Sequence, residues 1–346
     1  MCARLLRFLA VAFLGTLVAC GGGGSAPGQQ QRQVLRIGLL LDDIHERWEK
    51  DRELFIARAK EMGAEVEVRA AEGNHELQVK QANELLDAGV KALVVVPHDM
   101  ARAVEIVQAA KQRNVPVVSY DRLIRNADID LYASFDNAKV GEMQATYALA
   151  QAPKGSYLLI GGSPTDNNAQ LIREGQMKVL EPAVKRGEVR IIGDPWADDW
   201  QAEAARQHTE EALKRTRGRV TAVLASNDGT AGGVIAALEA RGLAGKVLVT
   251  GQDAELDALK RIVAGTQTMT VYKPIRSLAN LAARNAVRLA EGEEVYTATT
   301  VNNGMKDVPA MLLEPIVVNK SNIEYTVISD GFQKREDVFG AAGTKQ

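Results

Sequence analysis

Groups of acidic, amide and basic residues stand directly after short apolar segments of this sequence. These groups are Asp42 to Trp48, Tyr120 to Arg122, Gly161 to Asn168, Ser226 to Asp228, Gly251 to Asp253, and Lys273 after Tyr272. In an open parallel sheet, ligands bind outside the carboxyl ends of the strands. If the apolar segments are strands, the sequence therefore places these polar side chains at the edge where a ligand would bind.

The residue types in these groups suit a small neutral polyol. Each hydroxyl of a polyol both donates and accepts a hydrogen bond, so a carboxylate beside a guanidinium or ammonium group can satisfy both roles. A tryptophan such as Trp48 can cover the apolar C–H face of a sugar ring and leave the ring edges to polar residues. An anion site would instead show an excess of cations and of backbone amide nests.

Sequence motifs for other chemistries are missing. Gly229, Gly232 and Gly233 do not have dinucleotide-binding spacing, and neither a phosphate-binding loop nor a calcium loop occurs. The histidines are scattered, and they are His45, His75, His98 and His208. We therefore expect no metal, no cofactor and no catalytic residue.

The first residues indicate export. Arg4 and Arg7 precede an apolar run, Phe8 to Val18, which has the pattern of a secretory signal. This run is shorter than the roughly 20 residues of a membrane-spanning helix. Leu17-Val18-Ala19-Cys20 resembles the lipobox of bacterial lipoproteins, whose cysteine is acylated and becomes the new N-terminus. We expect Cys20 to carry a lipid, and the alternative is an ordinary cleaved signal that ends near a cysteine.

Processing at Cys20 would leave a chain without reactive thiols. Cys2 would be lost with the signal and Cys20 blocked by lipid, so neither a disulfide nor a thiolate metal site is expected. The formal net charge of −2 offers nucleic acid no basic surface. An acidic body would also contact an anionic membrane only through its lipid. We expect the protein in the periplasm or on the outer face of the cytoplasmic membrane.

The remaining sequence has the pattern of an α/β protein. Of the 346 residues, 46% are hydrophobic and 25% are charged, which is the globular range. Short β-branched segments alternate with amphipathic ones, as in βαβ units of a buried parallel sheet. The predicted strands are Val34–Leu41, Glu65–Arg69, Ala92–Val96, Val115–Ser119, Leu131–Phe135, Tyr157–Ile160, Val189–Ile192, Val220–Ala225, Val247–Thr250 and Thr268–Tyr272.

Helices are predicted between these strands. Trp48–Met62 shows apolar residues at helical spacing and ends before Gly63. The other predicted helices are Ala169–Leu180, Ala202–Lys214, Ala231–Ala240, Glu255–Ala264 and Ile275–Ala290, and Pro309–Val318 is predicted to be extended. Because single cores stop growing near roughly 250 to 300 residues, we predict two doubly wound parallel-sheet lobes.

The domain organisation is predicted as follows. Residues 1–19 are a signal peptide, 20–33 a flexible tether, 34–137 plus 273–310 the N-terminal lobe, 138–272 plus 311–336 the C-terminal lobe, and 337–346 a tail. The chain is expected to cross between the lobes three times, near Asn137, near Val271 to Lys273, and near Pro309 to Leu313.

Several segments resemble the D-xylose-binding protein family of bacterial ABC transporters. The matching segments are Glu46-Arg47-Trp48, Ser119 to Arg122, Ser134 to Asn137, Gly161 to Pro164, Asp166 to Asn168, Ala225 to Asp228, Gly251 to Asp253, and Ala264 to Pro274. The resemblance extends from about Ile37 to Phe332, and such long segments in order are highly specific. One departure is the loop from Asp42 to Glu46, which is shorter by a residue than the family pattern.

The resemblance implies a type I periplasmic binding protein, in which two lobes close around a ligand by a hinge. It implies a monomeric substrate-binding lipoprotein that delivers D-xylose to an ABC permease and catalyses nothing. It also implies hydrogen bonds to the sugar from Arg47, Asp121, Arg122, Asp166, Asn168, Asn227, Asp253 and Lys273. Trp48 and Trp200 would stack on the two faces of the sugar, and Trp196 is the competing second aromatic residue.

Each of these residues also has a structural interpretation. Asp121 and Arg122 could form an ion pair, Asn227 and Asp228 could cap a helix that begins near Thr230, and Asp166 to Asn168 could cap the helix before Leu171. Trp48 could belong to the core. The shared position of these residues at predicted strand ends favours a binding site.

Three other functions are compatible with an α/β fold of two lobes. The effector-binding body of a transcriptional repressor has the same architecture but needs a basic helix-turn-helix where this chain has an export signal. An enzyme on the same fold would change the sugar chemically. The same transport role could also serve ribose, arabinose, glucose or a sugar-like signal molecule.

Overall fold

The computed structural model describes residues 34–44 and 46–340. The predicted signal peptide, the tether with Cys20, and the last residues of the predicted tail lie outside these residues. The first half contains β1 (Leu35–Leu41), α1 (Glu46–Glu61), β2 (Ala64–Ala70), α2 (His75–Asp87), β3 (Ala92–Val95), α3 (Val104–Gln112), β4 (Val117–Tyr120), β5 (Leu131–Phe135) and α4 (Asn137–Gln151).

The second half continues the alternation of strands and helices. It contains β6 (Gly155–Ile160), α5 (Asn167–Lys185), β7 (Val189–Gly193), α6 (Ala202–Thr216), β8 (Ala222–Ala225), α7 (Asp228–Glu239), β9 (Leu248–Val249), α8 (Leu256–Ala264) and β10 (Thr270–Tyr272). The remaining elements are α9 (Ile275–Ala290), β11 (Thr299–Asn302), β12 (Asp307–Leu313), β13 (Ile316–Val318) and α10 (Arg335–Phe339).

Two parallel sheets organise these elements. Seven strands pair in the order β11-β12-β5-β4-β3-β1-β2, and four pair in the order β7-β6-β8-β9. All neighbours in both sheets are parallel except β11 and β12. A separate antiparallel pair, β10 and β13, lies beside the second sheet, because Val271 N–H donates to the Gly251 carbonyl that follows β9 (3.1 Å).

We call the larger sheet with α1–α3 and α9 the first lobe, and the smaller sheet with α4–α8, α10, β10 and β13 the second lobe. The chain passes from the first to the second between β5 and α4, returns between β10 and α9, and passes again between β12 and β13. The fold class, two doubly wound α/β lobes, is confirmed. The boundary predicted after residue 310 falls inside β12, whose pairing with β5 continues to Leu313.

Alternating residues of each sheet are buried on opposite faces. In the first lobe, Ile37 and Leu39 pack in the core that includes α9, while Leu40 packs with residues of α2 and α3. In the second lobe, Leu158 and Leu159 are divided in the same way. Burial on both faces explains the nearly continuous apolar strands of the sequence.

The differences from the predicted elements have local causes. The predicted strand Val115–Ser119 begins at Val117 because Pro116 has no N–H to give to a ladder, although its carbonyl accepts from Leu93 N–H (2.9 Å). The exposed edge strand β11 lacks the apolar signal that would reveal it. The predicted extended segment Pro309–Val318 is divided into β12 and β13, which pair in different sheets.

Helices α4 and α5 pack so closely that glycine is required at their contact. A Cβ atom on Gly175 would lie 1.9 Å from the Ala138 carbonyl oxygen. Helix α7 offers a matched comparison, because the atom nearest to a Cβ on Gly232 is an Arg261 guanidinium nitrogen 3.4 Å away.

We predict that Gly175→Ala lowers the free energy of unfolding by about 3 kcal/mol, because two helix backbones must separate to admit the methyl group. Gly232→Ala should be neutral or stabilising, because alanine is the better helix former and the added methyl group would meet only the end of the Arg261 side chain at van der Waals distance. Urea unfolding of both variants measures the difference. Equal stabilities of the two variants would contradict the packing requirement.

Candidate ligand-binding site

A cavity of about 340 Å³ lies between the two lobes, at the carboxyl ends of their strands. Its wall consists of Asp42, Asp43, Arg47, Trp48, Gly73, His98, Asp121, Arg122, Ser163, Asn168, Asp199, Trp200, Asn227, Gly229, Gln252, Asp253, Glu255 and Lys273. Both lobes contribute, since Asp121 follows β4 whereas Asn227 and Asp253 follow β8 and β9. Parallel strands of two facing sheets thus bring their polar ends to one volume.

The predicted site residues lie on this wall with one exception. Asp166 is buried behind the wall, where its carboxylate accepts from Arg122 Nε (2.8 Å) and from Trp200 Nε1 (3.2 Å). This carboxylate therefore orients two wall residues. The resemblance implies a direct contact of Asp166 with the ligand, whereas this side chain is not among those that line the cavity.

Other wall residues were not predicted as site residues. Asp42, Asp43 and Gln252 stand in the polar groups that follow strands, so the same rule could have selected them. His98 follows β3 after only two residues, Val96 and Pro97, and therefore satisfies the rule as well. No sequence signal marks Gly73 or Asp199 for this wall.

Four buried charged residues of the wall form a network of ion pairs. Arg47 pairs with Asp121 and lies 3.3 Å from Asp253 through Nη1. Lys273 Nζ lies 3.3 Å from Asp253 and 3.9 Å from Asp121. Burial alone raises the pKa of Asp121, but the positive charges of Arg47 and Lys273 outweigh it and hold the pKa at about 2. The same opposition of burial and cations lowers the pKa of Asp253.

A second network surrounds Arg122. Its guanidinium pairs with Asp42 in the first lobe and, through Nε, with Asp166 in the second. Asp42 also contacts His98, with 2.8 Å between Oδ1 and Nδ1. That hydrogen bond raises the pKa of His98 against the opposing effect of burial. Asp121 and Arg122 thus form ion pairs with different residues: Asp121 with Arg47 and Lys273, and Arg122 with Asp42 and Asp166.

Strained backbone holds several of these side chains in place. Asp121, Trp200 and Asp253 have φ angles of 60°, 59° and 97°, in a region that residues other than glycine seldom adopt. The carbonyl of Asp121 accepts from Tyr132 Oη (3.1 Å) and from Ser134, which fixes this conformation. Such strain concentrates at functional sites because the surrounding structure must enforce it.

The tryptophans have distinct surroundings. Trp48 is buried against the first-lobe core, and the Arg47 guanidinium carbon lies 4.5 Å from its ring centroid. Trp200 covers Gly162 so closely that a Cβ there would lie 2.3 Å from the indole. Trp196 is not on the cavity wall, and its ring packs on Gly161. The structure thus places Trp200 beside the cavity and Trp196 away from it.

Two site residues also have the structural roles considered from the sequence. Asn227 Oδ1 caps α7 by accepting from Thr230 N–H (2.9 Å), and Asp166 caps α5 by accepting from Asn168 N–H (2.8 Å). Capping occupies the Oδ1 atom of Asn227, while its side chain still lines the cavity. Asn227 therefore both caps a helix and lines the cavity.

Two amide oxygens of the wall carry acceptor capacity that the protein does not use. Asn168 Oδ1 and Gln252 Oε1 are buried and have no hydrogen-bond partner among residues 34–44 and 46–340. A buried amide oxygen without a partner is costly, so such atoms are suited to a ligand hydroxyl. Within the same residues, no cluster of three or more His, Cys, Asp or Glu could hold a metal, and no helix has the length and apolar character to cross a membrane.

The class of protein follows from comparison of this fold and sequence with known proteins. Residues 37–294 match the periplasmic binding protein domain family, and the chain belongs to this family. Its members are receptors for solutes and not enzymes.

Individual relatives are close. The D-xylose-binding periplasmic protein of Escherichia coli (strain K12) is 52% identical over 305 residues, which cover 88% of this chain and 92% of that protein. The D-xylose-binding periplasmic protein of Haemophilus influenzae is 51% identical, with coverage of 88% and 92%. A crystal structure of a carbohydrate transporter solute-binding protein from Chloroflexus aurantiacus, in complex with D-glucose, superposes with a TM-score of 0.81 at 31% identity, covering 88% of this chain and 97% of that one.

The buried carboxylate of Asp51, beneath the wall, makes the stability of the folded protein depend on pH. Asp51 Oδ2 lies 3.4 Å from Arg47 Nε, and Tyr120 donates its hydroxyl to Asp51 Oδ1. Burial raises the pKa of Asp51 from 3.8 to about 6, even though Arg47 opposes the shift. Between these two values the folded protein binds more protons than the unfolded chain, so this group lowers stability as the pH rises through that window.

We predict that Asp51→Asn removes this loss. As the pH rises from about 5 to about 8, the free energy of unfolding of the wild type should fall relative to that of the variant by on the order of 1 kcal/mol. Urea unfolding at several pH values measures the difference. Identical pH profiles of the two proteins would show that Asp51 titrates normally.

Proposed function

We propose that this protein is the substrate-binding component of an ABC sugar importer and that it binds D-xylose in the cavity between its lobes. The observation that carries the proposal is the composition of the wall, in which carboxylates, guanidinium groups, an ammonium group and unpartnered amide oxygens from both lobes face one small volume. The names of the two relatives from Escherichia coli and Haemophilus influenzae, which are identical to this chain at more than half of the aligned residues, support D-xylose as the ligand.

The charge of the wall favours a neutral ligand. Six carboxylates line the cavity against the three cations Arg47, Arg122 and Lys273. An anionic ligand such as a sugar phosphate would meet net repulsion there. A neutral sugar instead receives hydrogen bonds from ionised groups, which are stronger than those between neutral groups.

Contacts from both lobes explain how binding would produce a transport signal. Asp121 belongs to the first lobe, whereas Asn168, Asn227 and Gln252 belong to the second. A sugar that contacts both sides binds the closed form better than the open form, and this difference in affinity shifts the population towards closure. The closed form is then the species that the membrane permease recognises.

The pentose assignment rests on the aromatic residues and on complete pairing of hydroxyls. Trp48 and Trp200 border the cavity, and a hexose adds a hydroxymethyl group that must fit between such rings. A site built to hydrogen-bond each hydroxyl also discriminates strongly against analogues with a different pattern. D-glucose is the alternative ligand, because a structural relative at 31% identity was solved in complex with it.

We predict that isothermal titration calorimetry of the purified protein shows one D-xylose site per chain, at least ~100-fold tighter than any D-glucose site. Wall residues that already hydrogen-bond each xylose hydroxyl explain the preference. Similar affinities for both sugars would overturn the pentose assignment, and the absence of heat with every monosaccharide would overturn sugar binding.

Two variants of wall residues test whether the titrated sugar binds in the cavity. Asp121→Ala removes an acceptor and leaves Arg47 without its main partner, and Asn227→Ser shortens a wall residue but keeps an oxygen that can cap α7. Each should weaken D-xylose binding by about two orders of magnitude, or roughly 3 kcal/mol. The control is Arg58→Ala, which removes an exposed ion pair with Glu61 on the outer side of α1. Near-native affinity in both wall variants would place the sugar elsewhere.

The proposal includes anchorage through Cys20 and a monomeric state. The apolar run before Cys20 and the small residues around it support lipidation, and the absence of other cysteines from the sequence after it makes the site testable. The lipid would keep the receptor close to the permease on the outer face of the cytoplasmic membrane.

We predict that Cys20→Ser abolishes incorporation of labelled palmitate and moves the protein from the membrane fraction to the soluble fraction, because no acyl chain can attach. D-xylose affinity should stay unchanged, since Cys20 precedes the residues that form the cavity. Membrane association and labelling equal to those of the wild type would exclude the lipid anchor and favour an ordinary cleaved signal.

A further inference from the structure

Four consecutive residues of the second lobe, Thr165 to Asn168, each contact the first lobe. They form the N-terminus of α5 and the turn before it. Asp166 pairs with Arg122, and Asn168 Nδ2 donates to Asp121 Oδ1 (2.9 Å). These two contacts involve wall residues, so they belong to the ligand-binding site described above.

The other two contacts lie away from the cavity wall. Met100 N–H donates to the Thr165 carbonyl (3.0 Å), and Arg125 Nη1 donates to Asn167 Oδ1 (3.1 Å). None of these four residues lines the cavity. The segment therefore alternates between contacts that a sugar can influence directly and contacts that join only protein to protein.

The first-lobe side of these outer contacts is firmly supported. Arg125 N–H donates to the Met100 carbonyl (2.7 Å), which ties the two first-lobe residues to each other. The buried side chain of Asn303 donates to the carbonyls of Ile124 (3.2 Å) and Ala127 (2.7 Å), on either side of Arg125. The Arg125 side chain therefore extends from a loop that is fixed to its own lobe before it reaches the other.

We propose that Arg125 is a positioning residue that stabilises the closed arrangement of the lobes through Asn167 and thereby sets affinity without setting ligand preference. This inference rests on the proposed function. A hydrogen bond from a charged donor contributes more than one between neutral groups, and this one is formed only when the lobes are together. Arg125 touches no ligand, so it cannot distinguish one sugar from another.

The thermodynamic consequence differs from that of a wall residue. The apparent dissociation constant equals the constant for the closed form divided by the fraction of protein that is closed. Loss of the Arg125 contact lowers this fraction by the same factor for every ligand. Loss of a wall contact changes the constant for the closed form, and it does so differently for different sugars.

The test is titration of full-length Arg125→Ala with D-xylose and D-glucose, together with stopped-flow tryptophan fluorescence of D-xylose release. We expect both affinities to fall by about tenfold, which corresponds to about 1.4 kcal/mol, with an unchanged ratio between the sugars and faster release. The matched control is Arg113→Ala, which removes an ion pair with Asp87 within the first lobe. It should leave affinity and release unchanged.

A double-variant cycle tests the partner. The single variants are Arg125→Ala and Asn167→Ala, and the double variant combines them. If Arg125 acts through Asn167, the affinity of the double variant should equal that of the single variant with the lower affinity. Additive losses would show that the two residues act independently and would overturn the assignment. Unchanged affinity in Arg125→Ala, or a changed ratio between D-xylose and D-glucose, would overturn it as well.

Failure of the proposed function would give a different result. If the wild type binds neither sugar, small-angle X-ray scattering of the ligand-free proteins still measures the lobe arrangement. Arg125→Ala should then show a larger radius of gyration than the wild type and Arg113→Ala. Equal radii would refute the role of Arg125 independently of which ligand the cavity takes.

Discussion

The buried charge network of Arg47, Asp121, Asp253 and Lys273 is the interaction on which the rest of the structure depends. A charge removed from water is strongly destabilising unless an opposite charge and further hydrogen bonds compensate it. Here each of the two carboxylates contacts both cations, so these four charges balance in sign, and Asp51 adds a further carboxylate beside Arg47. Its members come from α1, from the ends of β4 and β9, and from the crossing after β10. The fold must therefore bring side chains from four separate segments to within 4 Å of one another.

The distribution of these charges between the lobes also permits the lobes to separate. Arg47 and Asp121 both belong to the first lobe, and they pair with each other directly. Asp253 in the second lobe faces Lys273, which stands where the chain crosses between lobes. Each side therefore retains an opposite-charge pair of this network when the cleft opens, whereas the separate ion pair of Arg122 with Asp166 joins the two lobes. Opening and closing can then be governed by the contacts that join the lobes, namely this ion pair, hydrogen bonds to a sugar and hydrogen bonds between the lobes.

Much of this arrangement could be predicted because it follows from one rule and one pattern. The alternation of β-branched and amphipathic segments predicted ten strands, and the rule that ligands bind at the carboxyl ends of parallel strands selected most of the wall. The family resemblance supplied individual roles. What could not be predicted depends on side-chain direction. Asp166 points from the α5 cap to Arg122 and Trp200 behind the wall, and no sequence pattern distinguishes that position from the wall itself.

The same limit applies to Trp196 and Trp200, which lie four residues apart in one loop. The φ angle of 59° at Trp200, and the room that Gly162 leaves, decide which ring reaches the cavity. Both features depend on tertiary contacts between the loop and the end of β6. Residues that face the cavity thus determine which ligand fits, and their directions are tertiary properties. The stability of the closed form is a separate quantity, because contacts such as that of Met100 with Thr165 join the lobes without touching the cavity. Affinity and selectivity can therefore change independently in this fold, through different sets of residues.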